Sequence, residues 1–429
     1  MSTWSDAEAR VLTALDEERL VRTLVELVRV PSVTGSDAES ELQAMLAGRL
    51  TELGLEVDSW RLALDELYAA DDFPGVEAER GEGHGVVGNA AGTAGEEVPA
   101  LVLQGHVDVV PVGDPAKWGQ ADPFQATISG DILHGRGACD MKAGLAANLA
   151  VAQALRDSGL RFERGFALHC VVSEEDGGLG AYATLRRGHT GEFAVIPEPT
   201  SGRLVTACAG ALTFTLEVPG RAAHGSARLS GVSAIENFLT LHPALAGLEA
   251  RRNADPDPLF AGNPLPYAIS VGTVRGGDWA SSVPDLLTAE GRMGVRLDED
   301  PATARAELEQ VVAEVCARHP FLRDQPIRVS WSGGQFGSGR IEADHAFIGE
   351  TQQAIAAVSG RAAALGAAPY GSDLRLYTGV GGIPTLHYGP GDVAMAHAPR
   401  EQVSIAETIQ VARTLAVLAV RRLGGHAAR

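Results

Sequence analysis

Residues 166–178 read FALHCVVSEEDGG. Apart from His169 the first seven are apolar, which is the pattern of a short buried strand, and the run then meets Glu174, Glu175 and Asp176 side by side before two glycines. Adjacent carboxylates repel, each raising the cost of ionising the next. Three of them at the mouth of a buried strand require a positive partner.

The same grammar recurs on either side. ALVLQ (100–104) and FAVIP (193–197) are further short apolar runs, and AGLAANLAVAQALRDSG (143–159) between them has helical periodicity. Strands alternating with helices predict an α/β fold, a mostly parallel sheet with helices on both faces. In such sheets ligands gather beyond the C-terminal ends of the strands, which is where the three acids fall. Upstream, Asp6–Val28 and Asp37–Leu53 are expected as two amphipathic helices, LEVDSW (55–60) as a strand, and the Gly-rich residues 75–97 as a loop with an edge hairpin.

From Gly210 the order changes. ALTFTLEVPG (211–220), YAISVGTVRGG (267–277), LLTAEGRMGVRL (286–297) and PIRVSW (326–331) read as strands, with helical patterns over residues 230–252 and 301–319. The order β-α-β-β-α-β predicts a ferredoxin-like α+β domain, inserted in the larger one. The expected division is 1–208 and 334–429 for the larger domain and 209–333 for the insertion. A final helix is expected from Ser404, with Ser404 and Glu407 as a capping box.

With 429 residues, 45% hydrophobic and 21% charged, the composition is that of a globular protein. The 35 basic residues against 55 acidic ones give a net charge of -20, so neither nucleic acid nor an anionic membrane surface is an expected partner. No signal peptide or bilayer span is expected, and four scattered cysteines without a CxxC pair suit a cytoplasmic location.

Five stations carry candidate ligands. LVLQGHVDVVP (101–111) places His106 and Asp108 two apart at a strand end, on one face, and a metal-bound imidazole commonly gives its other N–H to such a carboxylate. LHGRGACDMKAG (133–144) leads through a glycine turn to Asp140 at a helix start, where an isolated Asp could equally cap the helix. Glu175 belongs to the opening stretch, Glu198 closes the strand in AVIPEPTS (194–201), and His397 lies in the loop GPGDVAMAHAPREQVSI (389–405). Each is weak alone. Together two histidines and three carboxylates make an N/O donor set for zinc or a similar ion, and five ligands exceed the need of one catalytic zinc. Two ions about 3.5–4 Å apart, sharing a carboxylate and a water, would use them all. Glu175 could then bind a metal while Glu174 takes a proton from the bridging water, the dications making the neighbouring acids tolerable.

In combination, GHVDVVP, Trp118 with Asp122–Phe124, GRGACDMKAG, SEEDGG, EPT, GRAAHGS, VPD with EGR, and AHAPRE resemble the acetylornithine deacetylase, succinyl-diaminopimelate desuccinylase, aminoacylase and glutamate carboxypeptidase family of co-catalytic zinc hydrolases, over nearly the whole chain. The resemblance implies two Zn2+, with Co2+ or Mn2+ as substitutes. His106 and Glu198 would hold one, Glu175 and His397 the other, and Asp140 would bridge. It also implies Asp108 as the residue orienting His106, Glu174 as general base and then acid, and residues 209–333 as a lid and homodimerisation domain. His224 would be the lid histidine that reaches a substrate carbonyl oxygen, and Arg292, Ser372, Gly389 and Gly391 would lie where relatives hold the substrate's carboxylate. The expected reaction is removal of an acyl group from an N-acyl amino acid by a metal-bridged hydroxide. A metallo-carboxypeptidase or dipeptidase acting on peptides is the near alternative, and a catalytically silent binding protein the distant one. A phosphoesterase is disfavoured because no Arg or Lys cluster adjoins the ligands. Three positions depart from or refine the pattern: Ala143 where many members have Gly, Ser282 where many have Asn, and Glu198 where aminoacylases have Asp.

Overall fold

The computed structural model describes residues 4–119 and 122–427. The N-terminal helical pattern divides into α1 (Asp6–Ala14) and α2 (Glu17–Arg29), where one helix was expected. The break lies at Leu15, which is extended, because Asp16 turns its carboxylate to the Arg19 amide at 2.9 Å and starts a new helix. α3 (Asp37–Glu52) follows as expected.

The chain then lays down β1 (Glu56–Arg61), β2 (His84–Ala90), β3 (Leu101–His106), β4 (Phe166–Val171), β5 (Ala194–Ile196) and β6 (Leu204–Cys208). A second set, β7 (Gly210–Pro219), β8 (Ile269–Gly276), β9 (Leu286–Val295) and β10 (Arg328–Phe336), precedes β11 (Leu365–Ala368) and β12 (Thr385–His387). The central sheet runs β1-β2-β4-β3-β5-β12-β6, continues to the short strand Gly339–Arg340, and also pairs β11 with β6. Its middle, β4-β3-β5-β12, is parallel; β1, β2 and β6 join antiparallel, and β11 runs parallel to β6. The Gly-rich segment is thus not an edge hairpin: β2 lies inside the sheet and β1 forms the edge. Gly85 and Gly88 allow this, since a Cβ at Gly85 would meet the Trp60 ring at 2.2 Å and one at Gly88 the Leu55 side chain at 2.9 Å.

The continuous apolar runs of β3, β4 and β5 are buried on both faces, as a covered parallel sheet demands. On one face Leu103, Leu168 and Val195 pack with residues of α4 (Ala143–Asp157) and α9 (Ile405–Leu423). On the other, Val102, Ala167 and Ile196 meet Tyr182 of α5 (Leu179–Arg186) and Leu374 and Tyr377 of α8 (Leu374–Gly379). Ser404 caps α9 through the Glu407 amide at 3.0 Å, but the Glu407 carboxylate accepts from Gly391 N at 3.1 Å, so the expected reciprocal half of the capping box is spent on the site loop.

The strands β7–β10 form a separate antiparallel sheet in the order β8-β9-β7-β10. Alternation in β7 sends Leu212, Phe214, Leu216 and Val218 inward, against Leu241 and Leu245 of α6 (Ala234–Arg252) and Leu308 and Val312 of α7 (Pro301–Arg318). β-α-β-β-α-β is the order of these main elements. Among the described residues no helix is long and apolar enough to cross a membrane, and the four cysteines are buried and unbonded to one another.

Candidate metal centre

β4, β3 and β5 are neighbours and parallel, so whatever follows their last residues shares one edge. His106 ends β3 opposite Val171 of β4, Glu174 and Glu175 lie just beyond Val171, and Glu198 lies two residues past β5. Asp140 comes from the turn before α4, and His397, at φ 58°, from the loop between β12 and α9. Sequence spacing alone could not bring Asp140 and His397 to this edge; the packing of α4 and α9 does.

His106 Nε2 stands 3.2 Å from Asp140 Oδ1 and 3.9 Å from Glu198 Oε1. His397 Nε2 stands 2.9 Å from Glu175 Oε2 and 3.6 Å from Asp140 Oδ2, so Asp140 faces both histidines. The donor atoms of His106, Asp140 and Glu175 lie within 4.8 Å of one another, and so do those of His106, Glu174 and Glu198. Glu198 Oε1 is buried and takes no hydrogen bond. A buried carboxylate oxygen without a donor, among imidazole nitrogens and other carboxylates, fits a hard or borderline divalent cation.

The charges respond accordingly. Burial, then the charge of Glu198, pushes the Glu174 carboxyl well above its usual range, and burial with Asp140 does the same to Glu198. Burial, then Asp140, raises Glu175. Burial alone would lower His106, but hydrogen bonds to Asp108 and Asp140 outweigh it and the imidazole is raised. The Glu175 carboxylate lifts His397 to about 9. Protons are therefore held between these groups where cations would replace them.

Asp108 is fully buried, and its Oδ1 stands 3.5 Å from His106 Nδ1, which also contacts the Asp108 carbonyl at 3.0 Å. Its two oxygens also accept the Glu174 and Glu175 amides, each at 3.2 Å, and the Thr34 hydroxyl at 2.9 Å. One carboxylate thus ties the histidine strand to the acidic turn.

Asp176, the third acid of the opening stretch, points elsewhere. It accepts the Ser173 hydroxyl and the amides of Glu77 and Ala78, with Arg80 at 3.9 Å. Buried Arg80 also donates to Glu39 at 2.8 Å, and Glu39 accepts the Ser173 amide at 3.0 Å. The positive partner of Asp176 is this arginine, which lies in the Gly-rich segment and carries no local signal of its role. Glu401 also escaped the sequence reading. Its carboxylate accepts the Cys139 and Asp140 amides at 3.0 and 3.1 Å and pairs with Arg136 at 2.6 Å.

A cavity of about 350 Å³ opens over the cluster, lined by Glu174, Glu198 and His397 on one side and Thr213, Arg292 and Tyr370 on the other. Arg292 is thus brought to the site, its Nη2 donating to Pro369 O at 3.1 Å. Ser372 is buried and bonded to His387 at 3.1 Å, while its neighbours Tyr370 and Gly371 line the cavity. Gly389 and Gly391 have their amides taken by Thr200 and Glu407, each at 3.1 Å. A Cβ at Gly389 would meet Pro197 O at 2.2 Å, so this glycine lets the loop lie against the Glu198 segment. His224 is exposed, bonded to the Ser226 hydroxyl at 2.8 Å, and is not among the cavity's lining residues.

Residues 102–421 match Peptidase family M20/M25/M40. N-formyl-4-amino-5-aminomethyl-2-methylpyrimidine deformylase of Bacillus subtilis (strain 168) is 26% identical over 419 residues, which cover 92% of each chain. Succinyl-diaminopimelate desuccinylase of Methylobacterium sp. (strain 4-46) is 29% identical over 406 residues, 90% of this chain and 91% of that one. The solved structure of a di-peptidase from Saccharomyces cerevisiae shares the fold, with a TM-score of 0.77 at 14% identity over 97% of this chain and 98% of that one. The chain belongs to Peptidase family M20/M25/M40 and is a hydrolase of amide bonds.

Proposed function

We propose that the protein is a two-metal amidohydrolase that removes an acyl group from an N-acyl amino acid or a related metabolite. The observation that carries this reading is the convergence of His106, Asp140, Glu175, Glu198 and His397 at one sheet edge, with a buried Glu198 oxygen lacking any donor. The deformylase relative removes an N-formyl group and the desuccinylase relative a succinyl group, as their names state.

In this reading His106 and Glu198 hold one Zn2+, Glu175 and His397 the second, and Asp140 both; Co2+ or Mn2+ would substitute. Bound there, the ions supply Lewis acidity and bring the pKa of a bound water to about 7. Glu174, buried beside them, accepts a proton at its carboxylate and returns it to the leaving nitrogen. Asp108 holds the His106 ring while fixing the turn that carries Glu174. Arg292 receives the substrate's carboxylate from across the cavity. Residues 209–333 form the lid and the surface for a homodimer, and His224 reaches the substrate's oxyanion when the lid closes or from a second copy. The expected setting is the cytoplasm.

The test is amine release by zinc-loaded protein over N-acetyl, N-succinyl, N-formyl and N-carbamoyl amino acids and dipeptides, with and without chelator. Chelator-sensitive cleavage of one acyl class is the expected result. Cleavage of dipeptides alone would make the protein a peptidase, and no cleavage by protein holding two metals would overturn the reading.

A further inference from the structure

Besides the carboxyl groups, four side chains that line the cavity over the cluster can donate a hydrogen bond: those of Thr213, Arg292, Tyr370 and His397. Three of them have other partners. Thr213 gives its hydroxyl to Glu77 at 2.8 Å, Arg292 gives Nη2 to the Pro369 carbonyl at 3.1 Å, and His397 faces Glu175 at 2.9 Å. Tyr370 does not. Its hydroxyl has no hydrogen-bond partner among the described residues and is not sealed from solvent, so it opens on the cavity. Burial, then the charge of Glu198 and that of Asp140, raise its pKa well above the ordinary phenol value, with Glu174 adding to the effect. At neutral pH a phenol keeps its proton even at that ordinary value of about 10, so the group stands over the proposed ligands and base as a neutral donor.

The loop that carries Tyr370 is held on both sides of it. The Pro369 carbonyl before it is tied to Arg292, and Ser372 beyond it is buried and bonded to His387 at 3.1 Å. Gly371 lies so close to Phe336 that a Cβ there would meet the Phe336 Cβ at 2.4 Å. The Tyr370 ring itself packs on the core that contains Cys208, Leu374 and Tyr377. With ring and loop fixed, the hydroxyl is preorganised, and a donor that needs no reorganisation during the reaction is worth most. His224, by contrast, is exposed and is not among the cavity's lining residues.

We infer that Tyr370 is a catalytic residue, whose hydroxyl donates a hydrogen bond to the scissile carbonyl oxygen of the substrate as that oxygen becomes an oxyanion. The inference rests on the amidohydrolase reading and adds to it a donor that is in place before the lid moves. As water adds to the carbonyl carbon and gives a proton to Glu174, the C=O electron pair passes to the oxygen, and the Tyr370 O–H shares its hydrogen with that oxygen without releasing it. On collapse the pair returns, the C–N bond breaks, and the leaving nitrogen takes the proton from Glu174. The oxygen carries its charge only around the transition state, so the bond strengthens there and its loss falls on kcat rather than on KM.

The experiment uses the full-length zinc-loaded enzyme with whichever N-acyl amino acid or dipeptide of the panel it cleaves fastest. Tyr370→Phe keeps the ring and removes the hydroxyl. The expected result is a fall in kcat of about 10–100-fold, the worth of a hydrogen bond to a charged group, with KM within about twofold of wild type and with melting temperature and zinc content unchanged. The phosphonamidate of the same substrate puts a tetrahedral anionic centre where the scissile carbonyl lies. It should bind Tyr370→Phe more weakly by about the factor lost in kcat/KM, while the product amine binds both proteins alike. A hydroxyl that held the substrate's carboxylate instead would raise KM, weaken product binding and spare kcat. A role in holding the loop alone would lower the melting temperature and weaken analogue and product together. Either pattern overturns the assignment. If the wild type cleaves nothing in the panel, the amidohydrolase reading falls and this role with it; if the wild type cleaves and Tyr370→Phe matches its kcat, the role alone falls.

Discussion

The carboxylate of Glu401 accepts the backbone amide of Asp140 at 3.1 Å, and its other oxygen pairs with Arg136 at 2.6 Å, so the turn that presents Asp140, the proposed shared metal ligand, hangs from a buried ion pair. The Arg136 and Glu401 side chains are 2% and 1% exposed. Glu401→Ala would strand the guanidinium and free the Cys139 and Asp140 amides, at a cost of about 3–5 kcal/mol. The expected outcome is a large fall in melting temperature together with weaker zinc retention by dialysis. A variant that melts and holds zinc like wild type would remove Glu401 from this role.

Glu174 shares a turn with Glu175 but has a different proposed task, that of general base. Glu174→Gln keeps shape and volume while removing the proton acceptor, and kcat should fall by about 10²–10⁴, the range for losing a general acid–base group. Zinc content by elemental analysis should stay at the wild-type value. Near-normal turnover by this variant would reassign the base.

Gly144, four residues past Asp140, lies against Pro197, the residue before Glu198. A Cβ there would lie 2.2 Å from Pro197 O and 2.8 Å from Pro197 Cγ, and the first of these is backbone with little freedom to retreat. Gly144→Ala should cost about 1–3 kcal/mol through overpacking and push the Glu198 segment from the cluster. Urea unfolding would report the first effect and kcat the second. The adjacent Ala143 is also buried, yet it is Gly144 that the close approach demands.

Two histidines behind the site couple folding to pH. Burial, with a smaller contribution from the charge of His189, brings His169 down to about 3, and burial likewise takes His387 to about 3, so both imidazoles are neutral in the fold. In the unfolded chain they titrate near 6.5. Between these values the unfolded state binds more protons, so their stabilising effect is whole above about pH 6.5 and is lost as pH falls toward 3. The slope is about 1.4 kcal/mol per pH unit for each. The difference in unfolding free energy between wild type and His169→Gln, measured at pH 7.5, 6 and 5, should shrink on acidification by that slope. A difference independent of pH would show that His169 is not held neutral.

Much of the site was legible because its residues sit where short-range pattern changes. Apolar runs ending in His106, Glu174–Glu175 and Glu198 reveal strand ends, and parallel strands of one sheet present such ends together. Local chemistry also marks the β-α-β-β-α-β order after Gly210, since a change of hydrophobic period needs no knowledge of the partner. The sequence by itself therefore determined the fold class and located the strand-end residues His106, Glu174, Glu175 and Glu198. What only the tertiary structure decided are contacts between distant segments, which leave no periodic trace: Glu401 under Asp140, Arg80 between Glu39 and Asp176, and Thr213 on Glu77. The same reason explains the splitting of α1 from α2, where one capping side chain outweighed a continuous apolar stripe, and the inward place of β2, where glycine made room for Trp60 and Leu55. Hydrophobic pattern says which residues leave water; only the packed chain settles which polar groups they carry with them, and each of those must find its partner there.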